Sequence, residues 1–478
     1  MKQILSMLTA LLLCTSLTSQ DCNCADNLRQ LIVKTEENYA GFPAKVNASS
    51  KAGYEQLKQQ LTGKASSITN AKACFYLLKE YIRFFKDKHF ILAYDNEKDY
   101  DREIIAYSQS SLQQRIFKKQ ATAAEGIWIN PEGTLKLAIQ PAKGGVYKGI
   151  VIESKDSTLP KGLVYVTLTP AKNGFIAKEY NTFISTDKPA KQKGNLLQIW
   201  NDALFGKIYP TRLTAAEQSE MNTWKGQNNG LDFRQLSTRT AYLKIPTFRN
   251  NDSRIQELIN QHDSVIKACE NLIIDLTGNG GGNTGWVALL PYIITNPIVQ
   301  YNTYLRVTPE NVKHKLADLE PFAVNPIPEE YKKYFPEDVL AAYKKAYREL
   351  PTTKEAFYPI PGVNFPVDSV LARPRKVAVL FDDSGGSSTE YFFSLLQQSK
   401  KTTTYGIPTI GMMDYEGMST PIAMPYEKFI VTIPIVKSSW TDIKPIDATG
   451  FQPQVLLQHI PFSKWVEFVQ KDLERTKK

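Results

Sequence analysis

Asn271-Leu272-Ile273-Ile274-Asp275-Leu276-Thr277-Gly278-Asn279-Gly280-Gly281-Gly282-Asn283 reads as a buried strand that breaks into a glycine-rich turn. Glycine has no Cβ and accepts φ > 0, so such a turn lets the backbone pass close to a ligand. It also leaves several N–H groups free to converge on one negative atom, as an oxyanion hole or anion nest requires. The same pattern opens nucleotide sites, and it also serves as a plain structural turn. A Walker-type loop needs Gly-Lys-Ser/Thr next, and Asn283-Thr284-Gly285 follows instead. A Rossmann loop needs its spaced glycines inside a continuing β–α–β rhythm, which Pro291 and Pro297 interrupt.

Outward from this run the chain alternates strand and helix. Residues 242–245 and 272–276 read as strands, with helices over 255–269 and 286–294. After a long insertion at about 303–370, rich in Tyr, Pro and Lys, residues 376–381 form another buried strand. A helix follows at 389–398, then strands at 404–406 and 429–436. Upstream, residues 25–95 are helical by periodicity, and Phe75, Leu78, Ile82 and Phe85 share one face. Residues 125–185 carry short apolar runs between Gly, Pro and Asn breaks, which is the pattern of a small β-domain. Residues 186–235 are polar and read as transitional. The expected fold is a multidomain α/β (α+β) protein: a helical region over 21–120, a β-rich domain over 121–235, and an α/β core over 236–478.

Composition sets the outer limits. The 478 residues are 42% hydrophobic and 11% aromatic, enough for ordinary globular cores. The formal charge of +10 is spread along the chain and never interleaves aromatics with arginines, which argues against a nucleic-acid partner and leaves association with an anionic envelope open. Residues 1–20 read as a secretory signal: Lys2 precedes an apolar run from Ile4 to Leu13, too short for a permanent span. Leu13 occupies the position where a lipobox wants a small residue, so Cys14 is not read as a lipid anchor. The expected product is exported, periplasmic or secreted, with no transmembrane segment. In that compartment a bridge from Cys22 or Cys24 to Cys74 is expected, and a metal site would want more Cys or His nearby. No metal or cofactor is called for.

A second glycine-rich strand end, Phe381-Asp382-Asp383-Ser384-Gly385-Gly386-Ser387-Ser388-Thr389-Glu390, places serines where strand, turn and helix start meet. A helix N-terminus favours developing negative charge, which suits a nucleophile, although Ser388 or Thr389 could equally cap the helix. With both segments in view, the chain resembles the S41 peptidases, the family of tail-specific proteases, tricorn-core proteases and retinoid-binding relatives. Four ordered blocks carry the resemblance over about 240–460: Tyr242 to Phe248, Leu272 to Gly282 with Thr277 where arginine is usual, Val377 to Glu390, and Asp447 to Gln454. The resemblance implies a ClpP/crotonase-like core and a serine nucleophile at Ser387, three residues before Glu390. It also implies an oxyanion hole from the backbone of Gly280, Gly281 and Ser388.

One departure is informative. Tail-specific proteases carry a lysine about 25 residues after the serine, and Met412 stands there. A thioether cannot accept a proton from serine, so a Ser–Lys dyad is excluded at that position. The turn resembles the tricorn-like and retinoid-binding-like branch, which implies an early histidine in an L-x-D-x-H setting. Phe85-Lys86-Asp87-Lys88-His89 fits, making His89 the candidate general base, with a helix C-cap as its other reading. His262, His314 and His459 read as exposed. Lys400 and Lys401 are the reserve bases. Asp447 is the expected third member, with Asp414 and Glu390 as secondary candidates. The expected activity is an exported serine endopeptidase acting on extended or unfolded polypeptide. The alternative is a non-catalytic relative that keeps the fold as a peptide- or ligand-binding module. Residues 125–185 stand where tail-specific proteases carry a PDZ domain, but Gly144-Gly145-Val146-Tyr147 only weakly resembles a carboxylate-binding loop.

Overall fold

The computed structural model describes residues 22–95, 101–329, 332, 335–367, 369–419 and 421–475; the expected signal at 1–20, with Cys14, lies outside them. The chain is a mixed α/β protein built of several sheets, as its patterning predicts. Its centre is a six-stranded sheet in the order Asp232–Gln235, Thr240–Lys244, Asn271–Asp275, Lys376–Phe381, Thr402–Gly406 and Val455–Leu456. The first pair is antiparallel and the rest are parallel. Both faces are covered, which is why Asn271–Asp275 and Lys376–Phe381 read as continuous apolar runs rather than alternating ones. Ile255, Ile259 and Ile266 from the helix Asp252–Ala268 pack on one face with Phe392 and Phe393. Trp465, Val469 and Leu473 of the last helix cover the other.

The helix expected over 286–294 is a 3-10 turn, Gly285–Leu289, running into the short helix Leu290–Ile293. Pro291 lacks an N–H and is tolerated only in a first turn, so a longer helix across it is disfavoured. The insertion contributes the helices Pro309–Ala323 and Glu337–Glu349. The strand expected over 429–436 is two strands in different sheets. Phe429–Thr432 pairs with Ile91–Tyr94, and Pro434–Ser438 pairs with Thr303–Arg306 and Tyr415–Met418. The first of these pairings brings the end of the N-terminal helical region onto the core.

That region holds the helices Cys24–Asn38, Lys51–Ala65 and Ala71–Arg83 around an aromatic cluster of Tyr39, Tyr54, Phe75, Tyr81 and Phe85. Asn23 and Asn70 cap two of the helices by accepting from backbone N–H groups. Cys24 and Cys74 are bridged, while Cys22 and Cys269 are free and buried.

The β-rich segment closes on itself as an eight-stranded antiparallel barrel from Gly126 to Tyr209. Trp128, Leu137, Val151, Leu168 and Phe205 fill its interior. Three of its strands, Lys188–Lys193, Leu196–Ile199 and Ala203–Tyr209, lie in the segment read as transitional. In Lys188–Lys193 only Ala190 is buried, so the strand has almost no apolar signature. It forms because both of its edges find partners when the barrel closes. Among the described residues no helix is long and apolar enough to cross a membrane.

Candidate active site

Ser387 stands at the C-terminal end of the central sheet, between the strand Lys376–Phe381 and the helix Ser388–Leu396. Its backbone has φ 51° and ψ −123°, a conformation that costs a non-glycine residue about 1–3 kcal/mol and persists only where its surroundings enforce it. The glycine turn does part of this. A Cβ on Gly281 would come within 2.6 Å of Gly386 O and 2.8 Å of Ser387 Cβ, so the two strand ends approach each other through a position that only glycine can fill. Gly281 also has φ +97°.

His89 Nε2 lies 3.1 Å from Ser387 Oγ, across 298 residues of sequence. The other ring nitrogen, Nδ1, lies 2.9 Å from the backbone carbonyl of Tyr415. A carbonyl can only accept, so Nδ1 carries the proton and the Nε2 lone pair faces the serine hydroxyl. Burial holds the His89 pKa below its ordinary value, outweighing the Tyr415 carbonyl and the Glu390 and Asp447 charges. The ring is therefore neutral at neutral pH and can take a proton. Asp87, fully buried from solvent among Tyr39 and the His89 backbone, accepts from the His89 N–H and the Tyr39 hydroxyl, each at 2.8 Å. Burial and the Asp447 charge push its carboxyl up to about 7.

The acids nominated beside His89 do not reach its ring. Asp447 pairs with Lys45 instead, and its backbone N–H donates to Asp414. Asp414 accepts from Ile446 N, Asp447 N and Trp440 Nε1, which makes it the anchor of that loop. Glu390 is fully buried and accepts from Thr409 Oγ1 at 2.5 Å and from Gly411 N and Met412 N at 2.7 Å each. It pins the turn that carries Met412, whose sulfur packs against Gly386. Burial raises its pKa despite these bonds. The place of a third acid is taken by a peptide carbonyl, because the Tyr415 backbone reaches the ring first. Lys400 and Lys401 are remote. Val377 pairs with Thr402 and Phe381 with Gly406, so the two lysines precede the N-terminal edge of the sheet while Ser387 follows its C-terminal edge. His262 stacks on Phe233, and His314 and His459 lie outside the cleft that His89 and Ser387 share.

Two of the three nominated oxyanion donors are already engaged. Gly280 N donates to Asn201 Oδ1 at 2.8 Å, and Gly281 N to Asn279 Oδ1 at 2.9 Å. Ser388 N, at the helix start, makes no hydrogen bond within the described residues, and neither does Gly282 N, which borders the same cleft as Ser387. The free donors are thus one glycine further along than expected. Asn201 and its neighbour Trp200, whose Nε1 donates to Ser384 O at 3.0 Å, come from the turn joining the last two barrel strands. The barrel therefore braces both strand ends from behind, a role with no local signature in a polar stretch of sequence.

The family model for peptidase family S41 matches residues 239–457. No curated protein matches the chain significantly. Among solved structures, mature CPAF is similar with a TM-score of 0.54 at 13% identity, over 94% of this chain and 97% of that one. Mature CPAF complexed with lactacystin gives 0.53 at 13% identity, over 94% and 98%. At that identity the likeness speaks for the fold alone. Residues 239–457, which hold both glycine-rich strand ends, are thus a peptidase family S41 segment.

Proposed function

We propose that this chain is an exported serine endopeptidase that hydrolyses extended or unfolded polypeptides through an acyl-enzyme on Ser387. The observation that carries the reading is the 3.1 Å approach of His89 Nε2 to Ser387 Oγ with Nδ1–H held by Tyr415. In the first step His89 takes the hydroxyl proton as Oγ attacks the scissile carbonyl. The N–H groups of Ser388 and Gly282 receive the oxygen as it becomes negative. His89 then gives its proton to the leaving amine, and the acyl-enzyme remains. Water, deprotonated by the same imidazole, attacks the ester and releases the acid and free Ser387. A positioned base contributes about 10²–10⁴-fold, and one oxyanion donor about 10²–10³-fold. The Cys24–Cys74 bridge supports the export reading, since disulfides persist in oxidising compartments.

The test is labelling of the purified protein with a fluorophosphonate probe, with casein cleavage in parallel. Wild type is expected to label and cleave, and Ser387→Ala to do neither. Absence of Ser387-dependent label together with absence of cleavage would sink the peptidase reading and leave a non-catalytic binding module.

A further inference from the structure

A cleft of about 550 Å³ opens beside Ser387 and His89. Its lining is mainly apolar. Trp286 and Phe365 meet edge to face with ring centroids 5.7 Å apart, Tyr391 lies 5.1 Å from Trp286, and Met413 and Met418 add thioether surface. Into this apolar setting the fold places one carboxyl group, that of Glu416. Its Oε1 accepts from Ser438 Oγ at 3.0 Å, while Oε2 has only a long 3.5 Å contact from the Tyr301 hydroxyl. No cation lies within ion-pair distance of it among the described residues. Burial accordingly pushes its carboxyl up to about 7, and the Lys315 charge offsets this only in part.

A half-buried acid without a cation is costly, and an apolar occupant of the cleft would make it costlier by removing its remaining water. A basic side chain removes the cost. Its aliphatic stem suits the methionine and aromatic walls, its charge is attracted by the ring faces, and its tip supplies the missing partner. Resting on the peptidase reading above, we propose that this cleft is the primary specificity pocket, that it takes a lysine or arginine beside the scissile bond, and that Glu416 is the residue that selects it.

Lysine and norleucine share a stem and differ in the ammonium, so they isolate the contribution of charge. Full-length Ser387→Ala protein is titrated with two fluorescent peptides identical except for that residue, and binding is read by anisotropy. The lysine peptide is expected to bind at least about tenfold more tightly. Adding Glu416→Gln should erase the difference while leaving norleucine binding in place. Equal binding of the two peptides, including none by either, overturns the pocket assignment, as does a lysine preference that survives Glu416→Gln. Cut sites of the wild-type protein on a denatured protein mixture, read by mass spectrometry, should cluster beside Lys and Arg. Cleavage without that bias defeats the pocket alone. Lysine-selective binding without any Ser387-dependent cleavage defeats the peptidase reading and leaves the pocket standing.

Discussion

At the scale of the residue, the proposed chemistry turns on the protonation of one imidazole. Protonated His89 cannot accept from Ser387, and burial makes the imidazolium harder to form than in a free histidine. A lowered pKa means that the base form survives further into acid. Activity should therefore be level through neutrality and fall only when the pH drops below the ordinary histidine value of about 6.5. The same shift has a consequence for stability. Between the ordinary and the lowered value the unfolded chain binds a proton that the folded one refuses, so stability is full above that window and declines as the pH falls through it. The check is the acid limb of kcat/KM against pH, and a limb centred at or above the free-histidine value would contradict the assignment. Asp87 works in the same place by a different means. It holds the His89 backbone rather than the ring, so it fixes where the imidazole begins and not which nitrogen carries the proton.

At the scale of the element, the turn between the last two barrel strands is the least expected part of the site. Asn201 and Trp200 fix the backbone of both strand ends that flank Ser387, without touching Ser387 itself. Asn201→Ala leaves Gly280 N unpaired and frees the glycine turn to shift, and a displacement of about 1 Å at reacting groups costs on the order of 10²-fold in rate. The expected result is a kcat reduced by about ten- to a hundredfold with KM little changed, since the apolar cleft is left intact. A KM effect alone would assign Asn201 to substrate binding instead. This element also shows what was legible beforehand. The glycine turn and the Ser387 junction each announce themselves locally, because a strand end, glycines and a helix start fall within a dozen residues. His89 was found through its motif setting and the scarcity of histidines. Asn201 could not be found, because its hydrogen bond spans 79 residues and an asparagine in a polar stretch looks like any turn. Asp447 was drawn forward by an acidic position in its block, whereas the group that meets the ring is a peptide carbonyl, which no side-chain pattern encodes.

At the scale of the whole molecule, the N-terminal helices and the α/β core share the site. The Cys24–Cys74 bridge closes a 50-residue loop through those helices, and a loop of that size is worth about 4 kcal/mol in the chain-entropy account. Reduction, or Cys24→Ser with Cys74→Ser, should lower the midpoint of thermal inactivation, with activity lost at the temperature where the helical region loosens, because that region carries His89. An unchanged midpoint in reductant would show that the bridge adds nothing to the docked state. Strand Ile91–Tyr94 completes the docking by pairing with Phe429–Thr432. This pairing joins the chain's first hundred residues to its last fifty. Ile91–Tyr94 has no such partner until residue 432 has been made, so on the proposed reading base and nucleophile are fixed beside each other only late in synthesis. On that reading a partly made chain lacks the assembled site, and connectivity itself acts as the delay.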